Sequence, residues 1–281
     1  MLPANILGGL LALISAAVWG GGDFAGGYAS RRSSPIYVLT LAAFSGLLIL
    51  IAAALLWRES FPPARGILLA ALGGISGALG IAVFYRALSM GHIAVVAPTA
   101  GVISAALPVV FGIFTQGIPA PTKLVGFGLA LAGIWLVSAA SSSADRISSR
   151  GFILACLAGI GFGGFLTFLG LVDPGKIFTP LIVSRCMTLC IGLLLIKLNR
   201  MPLPALTANP TALLAGLLDA GGNLFYIMAR QYTRLDVAAV LSSLYPASTV
   251  LLAGIILKEK VSFRQGVGVV VCLAAILLIV K

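Results

Sequence analysis

Asp23 is the residue with the clearest potential for chemistry, because it lies inside an apolar run long enough to cross a membrane. A carboxylate at the centre of a membrane helix costs about 2.5–3.5 kcal/mol on insertion scales, so such a residue usually faces a cavity or a polar partner. Asp23 is therefore a candidate proton or substrate site. The alternative is that Asp23 lies near the end of its helix and pairs with Arg31 or Arg32.

A second set of polar side chains falls in two later apolar runs. Asp219 and Asn223 are four residues apart, which places them on one face of a helix with Tyr226 nearby. An Asp beside an Asn is costly in such a run, so the pair favours a cavity over a simple interhelical hydrogen bond. Arg185 is the other charge inside an apolar run. It could bind an anionic group of a substrate, or pair with Asp23 or Asp219 for structural reasons.

Aromatic side chains complete the candidate site. Four of them could stack on a substrate, although any single aromatic residue in such runs is more often a packing or interface residue. The predicted substrate-binding residues are Trp19, Asp23, Tyr85, Arg185, Asp219, Asn223, Tyr226 and Tyr245. We expect no catalytic residue, no metal site and no cofactor.

Membrane-spanning helices must position these residues. Of the 281 residues, 60% are hydrophobic and 9% are charged, whereas a soluble domain carries roughly 25% charged residues. The net charge of +11 comes from 18 Lys and Arg against 7 Asp and Glu. Most of the basic residues stand between apolar runs, where they contact lipid headgroups. This distribution argues against a nucleic-acid partner.

Ten apolar runs are each long enough for a crossing, which takes about 20 residues. Such a run must satisfy its backbone hydrogen bonds internally, so all ten are predicted to be α-helices. The runs are approximately 6–28, 37–57, 67–88, 94–114, 123–140, 152–172, 178–198, 212–229, 237–257 and 265–280.

The chain divides into two related halves. A Ser-rich stretch over 138–149 is typical of a linker and predicts one repeat at 1–142 and a second at 143–281. A shift of 143 residues places Trp19 on Phe162, and a shift of 142 residues carries the fourth run onto the ninth. Each half contains five runs. Because five is an odd number, the two copies must enter the membrane from opposite sides. Such an inverted repeat usually holds a substrate near the membrane midplane.

Prolines interrupt two of the runs that correspond across the repeat. Pro98 and Pro108 lie in the fourth run and Pro246 lies in the ninth. Each proline frees a backbone carbonyl, which a cavity or a polar neighbour must satisfy. We therefore predict that these three prolines kink both helices and take part in gating, although kinks without a binding role are also common.

The last two runs resemble a known family. Leu244-Tyr245-Pro246, followed by Lys258-Glu259-Lys260, is similar to the kink and the Gly-Glu-Arg-like turn of the EamA family in the drug/metabolite transporter superfamily. Trp19-Gly20 resembles the first-helix motif of that family. The first half departs from the pattern, because Thr115-Gln116-Gly117 lacks the Glu. The resemblance covers the whole chain and implies an all-α integral membrane fold with ten transmembrane helices in two inverted five-helix repeats.

The resemblance also implies a function. We expect a secondary transporter, not an enzyme, that exports a small polar or amphipathic metabolite, amino-acid-like or drug-like, by alternating access. No nucleotide-binding loop is present in the sequence, so the expected partners are the substrate, membrane lipids and a proton or counter-substrate. The expected location is the prokaryotic cytoplasmic (inner) membrane. The family places both termini inside, whereas the basic residues lean weakly toward both outside.

Two other functions remain open from the sequence. The first is a passive channel for small solutes. The second is an intramembrane protease, since Gly20-Gly21-Gly22-Asp23 fits the GxGD pattern and Gly74-Ile75-Ser76-Gly77 fits GxSG. The order of the two Asp residues argues against an aspartyl protease, and the position of the single His92 argues against a serine protease. A glycine-rich chain produces such motif matches by chance.

Overall fold

A computed structural model of the chain describes residues 3–89, 93–138, 149–256, 258 and 262–280. Within these residues the chain forms eleven α-helices and no strand. The helices are α1 (Ala4–Ser30), α2 (Pro35–Trp57), α3 (Ala64–Ser89), α4 (Ile93–Gln116), α5 (Pro121–Ser138), α6 (Ser149–Gly170), α7 (Phe178–Leu198), α8 (Pro210–Tyr232), α9 (Leu235–Ser242), α10 (Tyr245–Ile256) and α11 (Phe263–Val280). Ten stretches are long and apolar enough to cross a membrane, and α9 and α10 together form the ninth. The prediction of an all-α fold with ten spans is confirmed.

Successive spans run in opposite directions through the membrane. We call the face at which α1 begins the first face and the face at which α1 ends the second face. The loops before α3, α5, α7 and α9 then lie at the first face. Helices α2, α4, α6, α8 and α11 begin at the second face.

Local capping fixes where two of the helices begin at the second face. The side chain of Ser34 caps α2 and that of Asn209 caps α8, and in each case a proline follows at the first helical position. The side-chain oxygen accepts a hydrogen bond from one of the free N–H groups of the first turn, and proline has no N–H to satisfy. These polar residues therefore set the ends of two apolar runs.

The packing of the helices follows a two-fold exchange of the halves. Helix α1 packs on α8, and α3 packs on α6; α2 packs on α8, and α7 packs on α3. Helix α6 packs on α4, and its counterpart α1 packs on α9 and α10. Two further interfaces, α2 with α7 and α5 with α11, each join a helix to its own counterpart in the other repeat. Each interface therefore has its counterpart, which confirms two five-helix repeats. The predicted boundary at residue 142 and its linker fall in 139–148, outside the described residues, and stay predictions.

Two equivalent glycines bring the central helices into backbone contact. A Cβ atom built on Gly74 in α3 would lie 2.8 Å from the Cα of Ser184 in α7. A Cβ atom built on Gly216 in α8 would lie 2.6 Å from the Cα of Ala42 in α2. Both the glycines and their neighbours are related by the same shift of 142 residues that the sequence suggested. Only glycine permits this approach of two helix backbones.

We predict that Gly74→Ala and Gly216→Ala each lower the free energy of unfolding by about 1–3 kcal/mol, because the new methyl group must displace a backbone. Gly128→Ala in α5 is the matched control, since a Cβ atom there meets nothing within 4 Å. Unfolding in mixed micelles titrated with a denaturing detergent would measure the change. An equal stability of all three variants would contradict the close packing described here.

Candidate functional site

An ion pair joins α7 to α8 near the middle of the bundle. The Nη2 atom of Arg185 donates a hydrogen bond to Oδ2 of Asp219. Arg185 is 9% exposed, whereas the Asp219 side chain is 41% exposed. A Cβ atom built on Gly46 in α2 would lie 3.4 Å from Arg185 Nε, so the guanidinium lies between three helices. Of the roles considered for Arg185, the geometry supports pairing with Asp219.

Asn223 extends this pair by one helical turn. Its Nδ2 atom donates to the backbone oxygen of Asp219 at 2.6 Å and to Oδ2 of Asp219 at 3.3 Å. Asn223 is 2% exposed, and its Oδ1 atom is buried without a hydrogen-bond partner among the described residues. A buried amide oxygen without a donor is costly. The arrangement therefore leaves an acceptor that a substrate or a water molecule could satisfy.

Three of the predicted aromatic residues form a cluster beside these polar groups. The ring centroid of Trp19 lies 5.9 Å from that of Tyr226 and 6.3 Å from that of Tyr245. Tyr226 is fully buried, and its hydroxyl donates to the backbone oxygen of Leu166 at 2.5 Å. These contacts favour a packing role for Tyr226. Tyr245 is only half-buried and remains the better candidate to contact a substrate.

The cluster has an apolar counterpart at the equivalent contact between the repeats. The ring centroids of Phe84 and Phe162 are 5.7 Å apart, in the positions that correspond to Tyr226 and Trp19. The symmetry of the fold therefore supplies two aromatic pairs. Only the pair that contains Trp19 lies beside carboxylate and amide groups. The side chain of the predicted Tyr85 lies outside the described residues.

Asp23 is exposed although it lies on the inner side of α1. Trp19, Asp23 and Gly27 are spaced by four residues and share one face of the helix, and Trp19 on that face is buried. The opposite face carries Leu10 and Ile14, which are 44% and 42% exposed and belong to the lipid-facing surface. A Cβ atom built on Gly27 would meet nothing within 4 Å. Asp23 and Gly27 are thus exposed on the inner side of α1, close to its end at the second face.

The surroundings of Asp23 answer the question of its partner. No described residue forms a hydrogen bond or an ion pair with its carboxylate; Arg32 instead donates to the Tyr28 hydroxyl at 2.7 Å. The Asp23 carboxylate interacts electrostatically with the Tyr245 hydroxyl. Asp23 and Asp219 lie at one level, because a Cβ atom on the adjacent Gly22 would lie 3.3 Å from the Asp219 nitrogen. The described geometry supports the cavity interpretation.

The two runs that contain prolines differ from each other. The ninth span breaks between α9 and α10, directly before Tyr245 and Pro246. Ser243 at this break is 2% exposed, and its Oγ atom has no hydrogen-bond partner among the described residues. The fourth run is instead one helix through Pro98 and Pro108. The predicted interruption is thus present in the ninth span but not in the fourth, where only a kink within a continuous helix stays a prediction.

Close packing explains why the fourth run can remain helical at Pro108. Proline removes the hydrogen bond to the carbonyl four residues earlier, which belongs to Ser104. A Cβ atom on Gly163 in α6 would lie 3.0 Å from this carbonyl oxygen and 2.8 Å from Leu107 Cβ. Helix α6 therefore lies directly against the freed carbonyl. The side chain of Pro98 lies outside the described residues.

Glu59 joins the two repeats at the first face, a role that sequence analysis did not predict. Glu59 lies in the loop before α3, and its carboxylate accepts hydrogen bonds from the first N–H groups of α7. The donors are Ile177 N at 3.0 Å, Phe178 N at 3.3 Å, Thr179 N at 2.8 Å and Thr179 Oγ1 at 2.7 Å. A carboxylate at a helix N-terminus is favourable because it satisfies free donors and opposes the helix dipole. The partners are far apart in sequence, so no local pattern could reveal them.

Further bonds between the repeats lie at the same face. Lys176 Nζ donates to the Ser60 hydroxyl at 2.6 Å. The Arg234 guanidinium donates to the backbone oxygens of Gln116 at 2.9 Å and Gly117 at 2.6 Å, and it pairs with the buried Asp236 at 2.8 Å. The hydrogen bonds with Asp236 raise the pKa of Arg234, so this cation stays charged. The first face is therefore held closed by charged groups.

Two sets of hydrogen bonds between uncharged groups join the repeats at the second face. Asn209 Nδ2 donates to the backbone oxygen of Ala29 at 3.0 Å and to Ser33 Oγ at 3.1 Å. The Tyr37 hydroxyl donates to the backbone oxygen of Pro202 at 2.8 Å. Described bonds between the repeats thus lie at both faces, and those at the first face include charged groups.

Ten spans in two repeats, with a polar cluster at the level where the repeats meet, define a membrane transporter fold. The model of the EamA-like transporter family matches the chain twice, at residues 6–139 and 149–281, and the chain belongs to this family. The EamA family is part of the drug/metabolite transporter superfamily. The resemblance seen in the sequence is confirmed.

Two other comparisons add less. One crystal structure of a protein has the same fold, with a TM-score of 0.74 and 18% sequence identity over 96% of this chain and 95% of that chain. At this identity the likeness shows the fold alone. No protein of curated function matches the sequence.

We predict that Asp219→Leu lowers the free energy of unfolding by about 1–3 kcal/mol, because it leaves the Arg185 guanidinium buried without its anion. The effect is smaller than for a fully buried pair, since solvent screens the partly exposed Asp219. Adding Arg185→Met to the same chain should recover at least half of the loss. Detergent unfolding of the three variants would measure this coupling, and simple additivity of the two substitutions would contradict it.

Proposed function

We propose that this protein is a secondary transporter that moves a small polar or amphipathic metabolite across the membrane by alternating access. The observation that supports this most is the arrangement of Asp23 and Asp219. Asp23 is exposed on the inner side of α1 toward the second face, and the Asp219 side chain is 41% exposed. Hydrogen bonds of charged groups join the repeats at the first face, so the second face is the one from which we propose that the carboxylates are reached. Charged side chains in such positions mark substrate or ion pathways.

The two-fold relation of the repeats supports the transport cycle. If the repeats exchange their conformations, the contacts that close the first face open and an equivalent closure forms at the second face. Glu59 and Arg234 must release their partners in this step, because each joins a loop of the first repeat to a helix start in the second. The break between α9 and α10 lies beside the site and supplies a natural place for the backbone to bend.

A proton is the coupling ion that we favour. Asp23 has no partner among the described residues, and it lies seven residues or about 10 Å from the end of α1. The Arg185–Asp219 pair lies at the same level. Export from a prokaryotic cell, across the cytoplasmic membrane with both termini inside, is the direction that agrees with the resemblance of the sequence. The contacts between the repeats are the same whichever of the two faces is cytoplasmic.

Neither of the other two functions gains support. An open pore would need a continuous path, whereas the first face is closed by bonds between the repeats. The Ser76 hydroxyl, the candidate nucleophile, donates to the backbone oxygen of Gly161 at 2.9 Å. Asp219, the candidate second acid of an aspartyl protease, is paired with Arg185. His92 lies outside the described residues.

We predict that purified protein in liposomes exchanges a substrate found in a thermal-shift panel. The exchange should saturate and should be stimulated by substrate inside the vesicle, because each turnover must reload the site. Asp23→Asn should reduce uptake driven by a pH gradient to near background, since an amide cannot carry a proton.

The matched control is Asp173→Asn, which removes the same charge from the loop before α7 at the first face. It should keep the response to the gradient. Flux that rises linearly with concentration and ignores internal substrate would indicate a channel. An unaltered response to the gradient in Asp23→Asn would exclude Asp23 as the proton site.

A further inference from the structure

We propose that the site selects its substrate by a positively charged amino group, bound between Asp23 and Asp219 beside the rings of Trp19 and Tyr245, and that it disfavours carboxylates. This inference rests on the proposed transport function and names the class of substrate as small organic amines, with an apolar or aromatic part. Three independent features of the described residues support it.

The first feature is the charge balance of the site. When Asp23 has released its proton, Asp23 and Asp219 together carry two negative charges and Arg185 carries one positive charge. Every other Lys or Arg in the described helices lies within three residues of a helix end. The described residues at the level of the site therefore leave one negative charge without a counter-ion. A cationic ligand would balance it in a region of low dielectric constant, where charge interactions are strong.

The second feature is that Arg185 is not available to bind an anion. It is 9% exposed, its Nη2 atom is bound to Asp219, and its Nε atom lies against α2 at Gly46. A substrate carboxylate that approached Nη2 would compete with Asp219 for this almost fully buried guanidinium. Displacement of Asp219 would leave its carboxylate without its cation, so it is unfavourable.

The third feature is the supply of hydrogen-bond acceptors. An ammonium group has three donors. No hydrogen bond from the described residues reaches Oδ1 of Asp219 or either oxygen of Asp23, and the buried Oδ1 of Asn223 lacks a donor. Asn223 is held beside Asp219 through its own Nδ2, so this oxygen belongs to the same group. Among the described residues these oxygens are available to accept the hydrogen bonds that an ammonium group donates.

The aromatic residues agree with the same ligand. A cation is attracted to the face of Trp or Tyr within about 6 Å of the ring centroid. Trp19 and Tyr245 meet edge to face, with an interplanar angle of 80°, and Asp23 interacts with the Tyr245 hydroxyl. An amine that reaches Asp23 from the second face would pass beside these rings.

A matched set of three probes tests the inference: phenethylamine, phenylalanine and phenylacetate share one aromatic part and differ in charge. Binding is measured by the fluorescence of Trp19 in the Trp57→Phe/Trp135→Phe chain, which has no other tryptophan. Isothermal titration of the unmodified chain checks that these two substitutions are neutral. We expect phenethylamine to bind at least about tenfold more tightly than phenylacetate, with the zwitterion in between.

Variants locate the effect. Asp23→Asn should weaken phenethylamine about tenfold or more and should reduce its preference over phenylacetate. The control Asp173→Asn removes one negative charge far from the site and should leave the preference unchanged. Equal losses in both variants would mean that only the overall charge of the protein matters, which would overturn the inference.

The remaining outcomes separate the inference from the proposed function. Tighter binding of phenylacetate or phenylalanine, or no binding of any probe, would overturn the amine site. Exchange of the zwitterion or the acid in liposomes without preference for the amine would overturn it too, while transport itself would stand. Selective amine binding without any exchange would support the site and contradict transport.

Discussion

A charged side chain inside a membrane must either find a partner or reach water, and this constraint organises the centre of the protein. Arg185 finds a partner in Asp219 and is almost fully buried. Asp23 has no partner among the described residues and is exposed near Gly27, where we propose that it reaches water. The difference between these two solutions creates the site. A paired charge fixes α7 against α8, and an unpaired one remains available for a proton or a ligand.

The two-fold relation of the repeats explains both the closure and the asymmetry. Equivalent contacts at Gly74 and Gly216 give the halves the same framework, so each can take the conformation of the other. The residues on that framework differ. One contact between the repeats places Phe84 against Phe162, and the equivalent contact places Tyr226 against Trp19 next to Asp219. The fold therefore supplies a symmetric mechanism, while the chemistry of binding is concentrated on one side of the pseudo-two-fold axis.

The hydrophobicity of the runs was sufficient to predict the ten spans, because each span is fixed by its own local composition. The odd number of runs in each half then predicted two inverted repeats. The same reasoning found Asp23, Arg185, Asp219 and Asn223, since charge in an apolar run is conspicuous. It could not choose between Asp23 and Asp219 as the partner of Arg185, because that choice depends on how helices rotate against one another. It also missed Glu59, which is an ordinary loop residue until the packing brings it to the start of α7.

Transport by this protein requires above all that Asp23 faces water at the second face while Glu59 holds the repeats together at the first face. Asp23→Cys, in a chain whose four native cysteines are replaced by Ala, tests this with a membrane-impermeant thiol reagent in sealed vesicles of defined orientation. We predict labelling from the second face only, no labelling of the lipid-facing control Ile14→Cys, and slower labelling of Asp23→Cys when Glu59→Ala weakens the closure. Equal labelling from both faces, or a rate that ignores Glu59→Ala, would contradict the account.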